Sequence, residues 1–589
     1  MENKNDKLDI LRHSTSHILA SAVLEMFPEA RFGIGPTIED GFYYDFDLPR
    51  TLIPEDLPLL EEKMRGIIKE NLAFERSEID VKKAEALFKK ARQSYKVELI
   101  KDLIKDEKVK NVTVYRTGNF VDLCRGPHID STGEIKPDAF KLLKIAGAYW
   151  KGSEKNKMLQ RIYGTVFETS FDLKKHLLLQ EEAKKHDHRI IGKNLDLFVF
   201  SDLVGKGLPL FTEKGSAIRR ELERFIVDEE IKRGYKHVYT PDLARVELFK
   251  TSGHYPYYKD TMYPVMKIDE EELILRPMTC PHHFQLYASK QRTYKELPIR
   301  IAELAKQFRY EKSGELTGLM RVRQFCLADA HIVCRQDQAV DEINGALDLI
   351  EYVASILGLK KGENYRYRLS LGDRKDEKKY YKDDEAWDFA ENVLRTVLKE
   401  RKAPFFEGEG EAAFYGPKID IQMKNFIGKE DTAFTVQYDF VMPKRFDLAY
   451  IDNKSKKQEP IVIHRSSVGA IERVMAFLIE HYSGALPIWL APEQVWLLPI
   501  GSRHEEYAFG VADALKKENI RLIVKNENET IGKKIREGEI QKIPYLLVVG
   551  DKEMSSDSVA VRERGKGDLG PMKLEKFTEK IKDEIENKK

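Results

Sequence analysis

The sequence predicts an α+β chain divided into several domains, and three observations support this prediction. The chain has 589 residues, enough for about three to four domains of ~100–200 residues each. Hydrophobic residues make up 42% of the sequence and charged residues 33%, a balance that suits packed cores and excludes a disordered or fibrous chain. Segments with the apolar spacing of helices alternate along the chain with short runs typical of strands.

The region before residue 171 is predicted to mix helices with short strands. Apolar residues recur at helical spacing from Leu8 to Phe27, and Pro28 ends that helix. Residues 33–46 predict strands around a turn, residues 54–105 predict helix, and residues 112–123 alternate like a strand. Residues 171–188, rich in Lys and Glu, predict one exposed linker helix.

Residues 189–486 form the largest predicted unit, with strand-like aromatic and β-branched runs such as residues 433–440. Pro487 and Pro492 mark the next boundary. The last hundred or so residues predict a small sheet with flanking helices, in the order βαβαβ and a final helix. The predicted elements are residues 494–500, 505–518, 521–524, 530–540, 545–550 and 574–587.

Charge and cysteine content limit the compartment and the partners. Lys and Arg number 99 and Asp and Glu 98, so the net charge is +1 and does not by itself indicate a nucleic-acid or membrane partner. We find neither a signal peptide nor a run of ~18 apolar residues that would span a membrane. The four cysteines make no disulfide framework, and a reducing cytoplasmic location is expected: Cys124, Cys280, Cys326 and Cys334.

Two pairs of metal-type ligands lie in the N-terminal region. His13 and His17 are four residues apart, so on a helix they share a face. Cys124 and His128 repeat the spacing about a hundred residues later. The four side chains predict either a tetrahedral zinc site or a metal-free acid/base cluster. Two histidines at this spacing, taken alone, are more often solvent-exposed residues on the surface of a helix.

A second set of residues lies in the central region. Arg309 and Arg321 flank a predicted strand–loop–strand and suit the binding of a polyphosphate. Cys280, His331 and His464 offer three ligands for a zinc that keeps an open position. Scattered Cys and His are usually packing residues, so these residue types alone make a weak case.

The order of these features resembles the three signature motifs of class II aminoacyl-tRNA synthetases, and in detail it is similar to the bacterial threonyl-tRNA synthetases. Motif 1 would be residues 234–241, motif 2 residues 308–325 and motif 3 residues 469–473. The resemblance covers nearly the whole chain from His13. The family's additional N-terminal ubiquitin-like domain is expected to be missing, because the sequence starts just before His13.

The resemblance implies four segments. They are an α+β editing domain over residues 1–170, the linker helix over 171–188, a class II catalytic domain built on an antiparallel sheet over 189–486, and an α/β anticodon-binding domain over 487–589. It also implies that L-threonine is activated with ATP and Mg²⁺, transferred to the 3′ end of tRNA(Thr), and that mischarged seryl-tRNA(Thr) is hydrolysed. A homodimer formed around motif 1 and no membrane partner are expected.

The family's site residues carry over onto matching positions. Zn²⁺, one per subunit, would be held by Cys280, His331 and His464. Catalysis is assigned to Arg309, with His254 assisting transfer. The implied threonine-binding residues are Met278, Arg309, Asp329, Tyr415 and Gln437. The implied ATP-binding residues are Arg309, Glu311, Arg321, Phe325, Lys418 and Arg473.

Two further sets follow from the same resemblance. The implied editing residues are His13, His17, Lys96, Asp122, Cys124 and His128. The implied anticodon-binding residues are Asn528, Glu553 and Arg562. The sequence departs from the family's usual residues at Leu327, Ala470 and Thr432, which affects the polar lining of the threonine and ATP pockets.

Two alternatives compete with this interpretation. One is another class II synthetase with the same anticodon module, such as the prolyl enzyme, and the ligand set Cys280, His331 and His464 argues against it. The other is an RNA-binding regulator that has lost aminoacylation. Such proteins usually lose motif arginines or zinc ligands, and here both are present.

Overall fold

The computed structural model describes residues 4–153, 155–425 and 428–589. The chain separates into two compact units, Met1–Glu182 and Ala183–Lys589. The α+β class and the antiparallel character of the central sheet are confirmed. None of the described helices is long and apolar enough to cross a membrane.

Before residue 170, the first unit contains four α-helices and eight strands among its described residues. A five-stranded sheet has the order β1-β3-β8-β7 with β2 on β3, and a three-stranded sheet has the order β4-β5-β6. The helices are α1 (Lys4–Met26), α2 (Asp56–Glu70), α3 (Val81–Lys90) and α4 (Ser94–Glu107). The strands are β1 (Arg31–Phe32), β2 (Thr37–Ile38), β3 (Gly41–Asp47), β4 (Glu75–Asp80), β5 (Asn111–Thr117), β6 (Phe120–Leu123), β7 (Phe140–Tyr149) and β8 (Met158–Val166).

Two expectations for this unit need correction. The stretch 54–105, predicted as helix, includes strand β4, whose sequence Glu-Arg-Ser-Glu-Ile-Asp carries no apolar alternation because most of its side chains face solvent. Residues 112–123, predicted as one strand, form the hairpin β5–β6. Gly118 lies between the two strands at a φ of +57°, a left-handed conformation that glycine adopts without strain.

The predicted linker helix is α5 (Ser170–His186), and it ends before His188. The side chain of Asp187 accepts a hydrogen bond from the backbone N–H of Arg189, so Asp187 caps a new helix, α6 (His188–Asn194). His188 is buried rather than exposed. The expectation of one exposed helix over 171–188 is therefore wrong at its last two positions.

The second unit is built on an eight-stranded sheet of order β11-β15-β16-β23-β20-β19-β17-β18, parallel only at its two outermost pairs. Its strands are β11 (Lys236–His237), β15 (Ile299–Phe308), β16 (Gln324–Cys334), β17 (Tyr365–Leu371), β18 (Phe405–Glu409), β19 (Lys418–Lys424), β20 (Glu430–Asp439) and β23 (Ile461–Ala470). Smaller pairings use β9 (Phe198–Val199), β10 (Leu210–Phe211), β12 (Leu243–Arg245), β13 (Met266–Ile268), β14 (Glu271–Leu275), β21 (Tyr450–Ile451) and β22 (Lys457–Gln458).

Helices cover one face of this sheet, and the site residues occupy the other. Apolar side chains of α11 and α14 pack with those of β16 and β23 in the largest core of the chain, which explains why both central strands are buried along their length. The helices are α7 (Glu213–Lys232), α8 (Val246–Ser252), α9 (His254–Tyr257), α10 (Cys280–Ala288), α11 (Ala339–Ile356), α12 (Asp384–Glu400), α13 (Met442–Arg445) and α14 (Ile471–His481).

The end of the chain forms a five-stranded sheet of order β25-β24-β26-β27-β28. The three parallel strands and two helices match the predicted βαβαβ order, whereas the hairpin β27–β28 and the short α17 were not predicted. The strands are β24 (Val495–Pro499), β25 (Leu522–Val524), β26 (Tyr545–Val549), β27 (Ser558–Glu563) and β28 (Gly567–Lys573), and the helices are α15 (Glu505–Lys517), α16 (Ile531–Ile540), α17 (Asp551–Ser555) and α18 (Leu574–Glu586).

Candidate active sites

The register of the large sheet lines up distant parts of the sequence. His331 on β16 lies opposite His464 on β23, His464 lies opposite Gln437 on β20, and Gln437 lies opposite Lys418 on β19. A second row, two residues along, contains Asp329, Ser466 and Thr435. Because residues two apart on a strand project from the same face, both rows face one cavity of about 550 Å³.

Cys280, His331 and His464 form a cluster of metal-type ligands at this cavity. One ligand atom from each lies within 4.8 Å of the others, and all three residues are buried. The two histidines are cross-strand neighbours, and Cys280 is added by the first turn of α10. Burial raises the pKa of the Cys280 thiol and lowers that of the His331 imidazole. One thiol and two imidazoles suit zinc with room for a further ligand.

Each histidine of the cluster has a buried partner on its other ring nitrogen. Nε2 of His464 lies 2.7 Å from Oδ2 of Asp439, and Oδ1 of Asp439 accepts hydrogen bonds from the backbone N–H groups of Val441 and Met442 at 2.9 Å each. Nδ1 of His331 lies 2.8 Å from Nδ1 of His283. These contacts leave Nδ1 of His464 and Nε2 of His331 as the ring nitrogens that could bind a metal ion.

Two arginines of the expected ATP site, Arg309 and Arg321, line the same cavity, and the third, Arg473, interacts electrostatically with both. Arg321 pairs with Glu311 at 2.9 Å. Arg473, on α14, donates to two backbone oxygens, those of Met320 at 3.2 Å and Thr432 at 2.9 Å. Burial, with the charges of Arg309 and Arg321, lowers the pKa of Arg473. Their mutual repulsion indicates a site for an anion.

The polar contacts of Arg309 in the described structure are long. Its guanidinium lies 3.4 Å from the Pro277 carbonyl oxygen and 3.5 Å from Oε1 of Gln307, and its Cζ is 5.1 Å from the centre of the Phe325 ring. In the part of the chain that the structure describes, no carboxylate forms a salt bridge with it. Burial lowers its pKa, yet a guanidinium stays charged in proteins. It is therefore a half-buried cation suited to bind an anionic substrate.

Most of the remaining expected threonine and ATP residues line the cavity. The Tyr415 hydroxyl donates to Oε1 of Gln437 at 2.7 Å, and burial raises the pKa of Asp329. Lys418 donates to Asp420 at 2.6 Å. The cavity lining includes Met278, Glu311, Arg321 and Leu327, and Phe325 lies against the lining residue Arg309. Arg473 is not a lining residue, and its guanidinium donates to Met320 and Thr432.

His254 lies at the cavity with one ring nitrogen free for chemistry. Its Nδ1 is 2.7 Å from Oγ of Ser252, and that hydroxyl donates to the Phe249 carbonyl oxygen at 3.0 Å. With its proton so used, the hydroxyl accepts from Nδ1, and Nε2 of His254 carries the lone pair. Burial lowers the pKa of His254 to about 3, so the imidazole is neutral and can accept a proton.

In the first unit, the two ligand pairs predicted from sequence come together. The ligand atoms of His13, His17, Cys124 and His128 all lie within 4.8 Å of one another. Sγ of Cys124 is 3.3 Å from Nε2 of both His13 and His128. Burial is the main reason why the pKa values of all three histidines are lowered, and it lowers the pKa of His128 to about 2. Burial also raises the pKa of Cys124 to about 12.

A buried ion pair, Asp122 with Lys96, lies next to this cluster. Asp122 contacts Lys96 as a buried ion pair and lies 3.5 Å from Nε2 of His17. The Tyr44 hydroxyl donates to Asp122 at 2.6 Å and accepts from Lys96 at 3.0 Å. The six expected editing residues thus form one connected group, in which neutral imidazoles and a neutral thiol face an aspartate whose charge Lys96 balances.

The three expected anticodon residues lie on different elements of the C-terminal sheet. Asn528 is exposed after β25, and Glu553 is on α17 after β26; because β25 and β26 both run parallel to β24, these two residues are at the same sheet edge. Arg562 is on the antiparallel β27, opposite Leu546, and lies 3.4 Å from Asp568. The structure does not place Arg562 at the edge shared by the other two.

Several residues in these sites were not expected from sequence. Tyr44, Ser14, Asp439, Gln307 and His283 all contact expected site residues. His283 had a readable signal, since it follows Cys280 by three residues and so shares its face of a helix. Ser14 follows His13 on α1, and Gln307 precedes Arg309 by two residues on β15. Tyr44 and Asp439 are far from their partners in sequence and are brought to them by the fold.

Comparison with known proteins identifies three matching families. The class II core domain of tRNA synthetases (G, H, P, S and T) matches residues 263–482, the anticodon binding domain residues 494–584, and the threonyl and alanyl tRNA synthetase second additional domain residues 112–163.

Similar full-length chains are threonine–tRNA ligases. The chain is 51% identical to that of Geobacillus sp. (strain WCH70) over 581 residues, covering 98% of this chain and 89% of the relative. It is 49% identical to that of Listeria monocytogenes serotype 4a (strain HCC23) over 581 residues, covering 98% and 90%.

Solved structures of threonyl-tRNA synthetases also align with this chain, at lower sequence identity. The RNA binding domain of threonyl-tRNA synthetase from Cryptosporidium parvum aligns with a TM-score of 0.64 at 34% identity, covering 67% of this chain and 98% of that one. The putative threonyl-tRNA synthetase ThrRS-1 from Aeropyrum pernix aligns with a TM-score of 0.61 at 29% identity, covering 68% and 97%.

Proposed function

Since this chain belongs to the threonine–tRNA ligase family of class II aminoacyl-tRNA synthetases, we propose that it activates L-threonine with ATP and transfers the threonyl group to the 3′ end of tRNA(Thr). The observation that carries the proposal is a single cavity bordered by a Cys/His/His cluster and by the under-neutralised Arg309. The cluster suits recognition of an amino group and a hydroxyl, and the arginine suits a carboxylate and a phosphate.

Activation depends on Arg309. Its planar guanidinium can donate to the threonine carboxylate and to the α-phosphate of ATP at once. It then stabilises the charge that develops as the carboxylate oxygen attacks phosphorus and pyrophosphate leaves. Arg321 and Arg473 hold the far end of the triphosphate, and Glu311, Phe325 and Lys418 surround the nucleotide. Mg²⁺ that accompanies ATP would share the phosphate charge.

Threonine selection depends on the cluster of Cys280, His331 and His464, which fits zinc by its donor types and by the buried partners of both imidazoles. When bound, zinc would supply Lewis-acid positions for the amino group and the side-chain hydroxyl of threonine. Asp329 accepts the hydroxyl proton in a hydrogen bond, and Tyr415, Gln437 and the Met278 carbonyl line the rest of the pocket. Valine has no hydroxyl to offer and is rejected.

Transfer to tRNA follows at the same cavity. Nε2 of His254 is positioned by Ser252 to accept a proton from the terminal ribose as its hydroxyl attacks the adenylate carbonyl, the acyl–phosphate bond breaks and AMP leaves. The C-terminal sheet, with Asn528, Glu553 and Arg562, would contact the anticodon. The free thiols of the chain favour a cytoplasmic location, where cysteines stay reduced.

Editing is assigned to the cluster in the first unit. Serine differs from threonine by one methyl group, worth only about 1–3 kcal/mol in a binding pocket, so seryl-tRNA(Thr) forms and must be hydrolysed. The neutral imidazoles of His13, His17 and His128 each have a nitrogen lone pair that can accept a hydrogen bond from the attacking water and orient it. Cys124, with its raised pKa, stays protonated and so is a hydrogen-bond donor rather than a nucleophile.

A homodimer is the expected assembly, and exposed apolar residues of the second unit support it. The pair β9–β10 and its connection expose five apolar side chains: Val199, Phe200, Leu203, Val204 and Leu210. Tyr239, in motif 1, is 93% exposed. Apolar surface of this kind marks an interface. We expect Leu203→Glu to halve the mass measured by light scattering, whereas Ile540→Glu, at another exposed position, should not.

The reaction is tested by ATP–pyrophosphate exchange with each of the twenty amino acids, followed by charging of tRNA(Thr). We expect strong exchange with threonine, weaker exchange with serine and background exchange with valine. Exchange with proline alone would support the prolyl relative, and no exchange with any amino acid would support a regulator that has lost activity.

A further inference from the structure

A buried chain of hydrogen bonds runs behind the ligand His331, and the mechanism above does not use it. Nδ1 of His331 lies 2.8 Å from Nδ1 of His283. Nε2 of His283 lies 3.2 Å from Oε2 of Glu303. Glu303 in turn accepts from Arg276 at 3.1 Å and from the Thr240 hydroxyl at 2.7 Å. His283, Glu303 and Arg276 are each at most 2% exposed.

The ionisation of Glu303 determines where the protons lie in this series of hydrogen bonds. Burial works to raise the pKa of Glu303, but hydrogen bonds from His283 and Thr240 and the charge of Arg276 outweigh it and lower that pKa to about 2. Glu303 is therefore a carboxylate, which can only accept. Nε2 of His283 therefore donates to it. In the tautomer whose single proton is on Nε2, the Nδ1 atom of His283 is an acceptor.

The hydrogen bond from His331 to His283 determines which ring nitrogen of His331 carries the proton. Because Nδ1 of His283 accepts, Nδ1 of His331 must carry the proton that it donates. Nε2 of His331 is then left with its lone pair directed away from His283. The reverse arrangement would place a proton on Nε2 of His331, and that nitrogen could not bind a metal.

The fold holds His283 rigidly in this position. It follows Cys280 by one turn of α10, so one helix provides both a ligand and the partner of another ligand. Glu303 lies on β15 opposite Asp329, two residues before His331 on β16. Arg276 donates to the Lys306 carbonyl oxygen at 2.6 Å and to Thr240 at 2.6 Å, so Glu303 is anchored from three sides.

We propose that His283 is a positioning residue of the metal centre, which with Glu303 holds His331 in the tautomer whose Nε2 binds zinc. The inference rests on the zinc site proposed above. A carboxylate–imidazole–ligand chain of this kind orients the ring and raises its basicity, and loss of such a partner typically costs about 10–100-fold in metal affinity.

Two near-isosteric substitutions separate this role from simple packing. In His283→Asn the amide oxygen occupies the place of Nδ1 and can still accept from His331. In His283→Gln the amide reaches the place of Nε2, so it keeps the contact with Glu303 and loses that with His331. A packing role predicts that Gln, the larger residue, is tolerated better, whereas the proposed role predicts the opposite order.

The experiment measures zinc affinity of the full-length variants by competition with a chromophoric chelator, together with the visible spectrum after Co²⁺ substitution. We expect His283→Gln and His283→Ala to bind zinc about 10–100-fold more weakly than the parent and to show an altered Co²⁺ spectrum. His283→Asn should stay closer to the parent than to His283→Ala. Thermal unfolding of the metal-free proteins identifies any variant that fails to fold.

His282→Ala is the matched control, since His282 is the adjacent buried residue of α10 and its ring lies against Phe249, 6.2 Å between centroids. It should leave zinc affinity unchanged. Equal affinity of all variants, or an equal loss in His282→Ala, would overturn the positioning role. If the parent itself binds no zinc, the zinc proposal fails instead, so the two failures are distinguishable.

Discussion

Removing the guanidinium of Arg309 should abolish activation while leaving the fold intact. In the structure this side chain makes two long contacts, 3.4 Å to the Pro277 carbonyl oxygen and 3.5 Å to Gln307. Contacts at this limit contribute below about 1 kcal/mol to stability. Arg309→Ala should therefore unfold within a few degrees of the parent in a thermal scan.

The catalytic loss should be much larger. Losing one preorganised donor to a developing oxyanion costs about 10²–10³-fold in rate, or about 2.7–4 kcal/mol. We expect Arg309→Ala to lose threonine-dependent pyrophosphate exchange by at least this factor. Arg309→Lys should recover only part of the rate, because a lysine keeps the charge but cannot bridge two anions with a planar fork.

Arg465 provides the structural contrast. It is buried and lies 2.6 Å from Oε1 of Glu230 and 3.0 Å from the Ser467 hydroxyl. Arg465→Ala would break this buried ion pair and leave Glu230 with its contacts to His237 and Ser467, at a cost of about 3–5 kcal/mol. That variant should lose stability first and activity as a consequence. If Arg309→Ala exchanges pyrophosphate within tenfold of the parent, or if it is destabilised as strongly as Arg465→Ala, its assignment to catalysis is refuted.

Two further predictions concern the clusters. Cys280→Ser should lower the zinc content found by elemental analysis and reduce threonine activation, since a soft thiolate is lost. The control Cys326→Ser, at a buried cysteine outside the cluster, should keep its zinc. Full activation by metal-free protein would contradict the zinc role. His17→Ala and Cys124→Ala should leave pyrophosphate exchange almost unchanged and should let seryl-tRNA(Thr) accumulate in deacylation assays; variants that clear it as fast as the parent would show that the cluster is structural.

Much of the catalytic unit could be predicted from the sequence because its motifs are local. Arg309 and Arg321 fall within one strand–loop–strand, and Gly469 begins the turn into α14. Gly469 has a φ of +73°, and an added Cβ would lie 2.3 Å from the Ala433 carbonyl oxygen, so the position accepts only glycine. Short-range constraints of this kind leave a signature that a single sequence displays.

What could not be predicted depends on long-range pairing. Asp439 is 25 residues from His464 in sequence, and Tyr44 is 78 residues from Asp122. Neither residue has a spacing that reveals its partner. Strand β4 was missed for a different reason, because an exposed edge strand with Glu, Arg and Ser lacks the apolar alternation that predicts strands.

The row that crosses the sheet explains why one cavity can solve only half of the selection problem. His331 and His464 lie opposite each other on adjacent strands, so the ligand cluster has a fixed position and a hydroxyl must reach it. A site built for a hydroxyl rejects an analogue without it by about 10⁴–10⁵-fold, which is sufficient against valine.

Serine presents the same hydroxyl and amino group to the same ligands, and only an empty volume the size of a methyl group distinguishes it from threonine. That difference is worth about 10–200-fold, and no rearrangement of polar groups in the cavity can enlarge it. The selection must therefore be completed where the ester of serine can be hydrolysed, and the first unit offers such chemistry in its buried neutral imidazoles. Under the proposed function, the two Cys/His clusters among the described residues would share this selection between them.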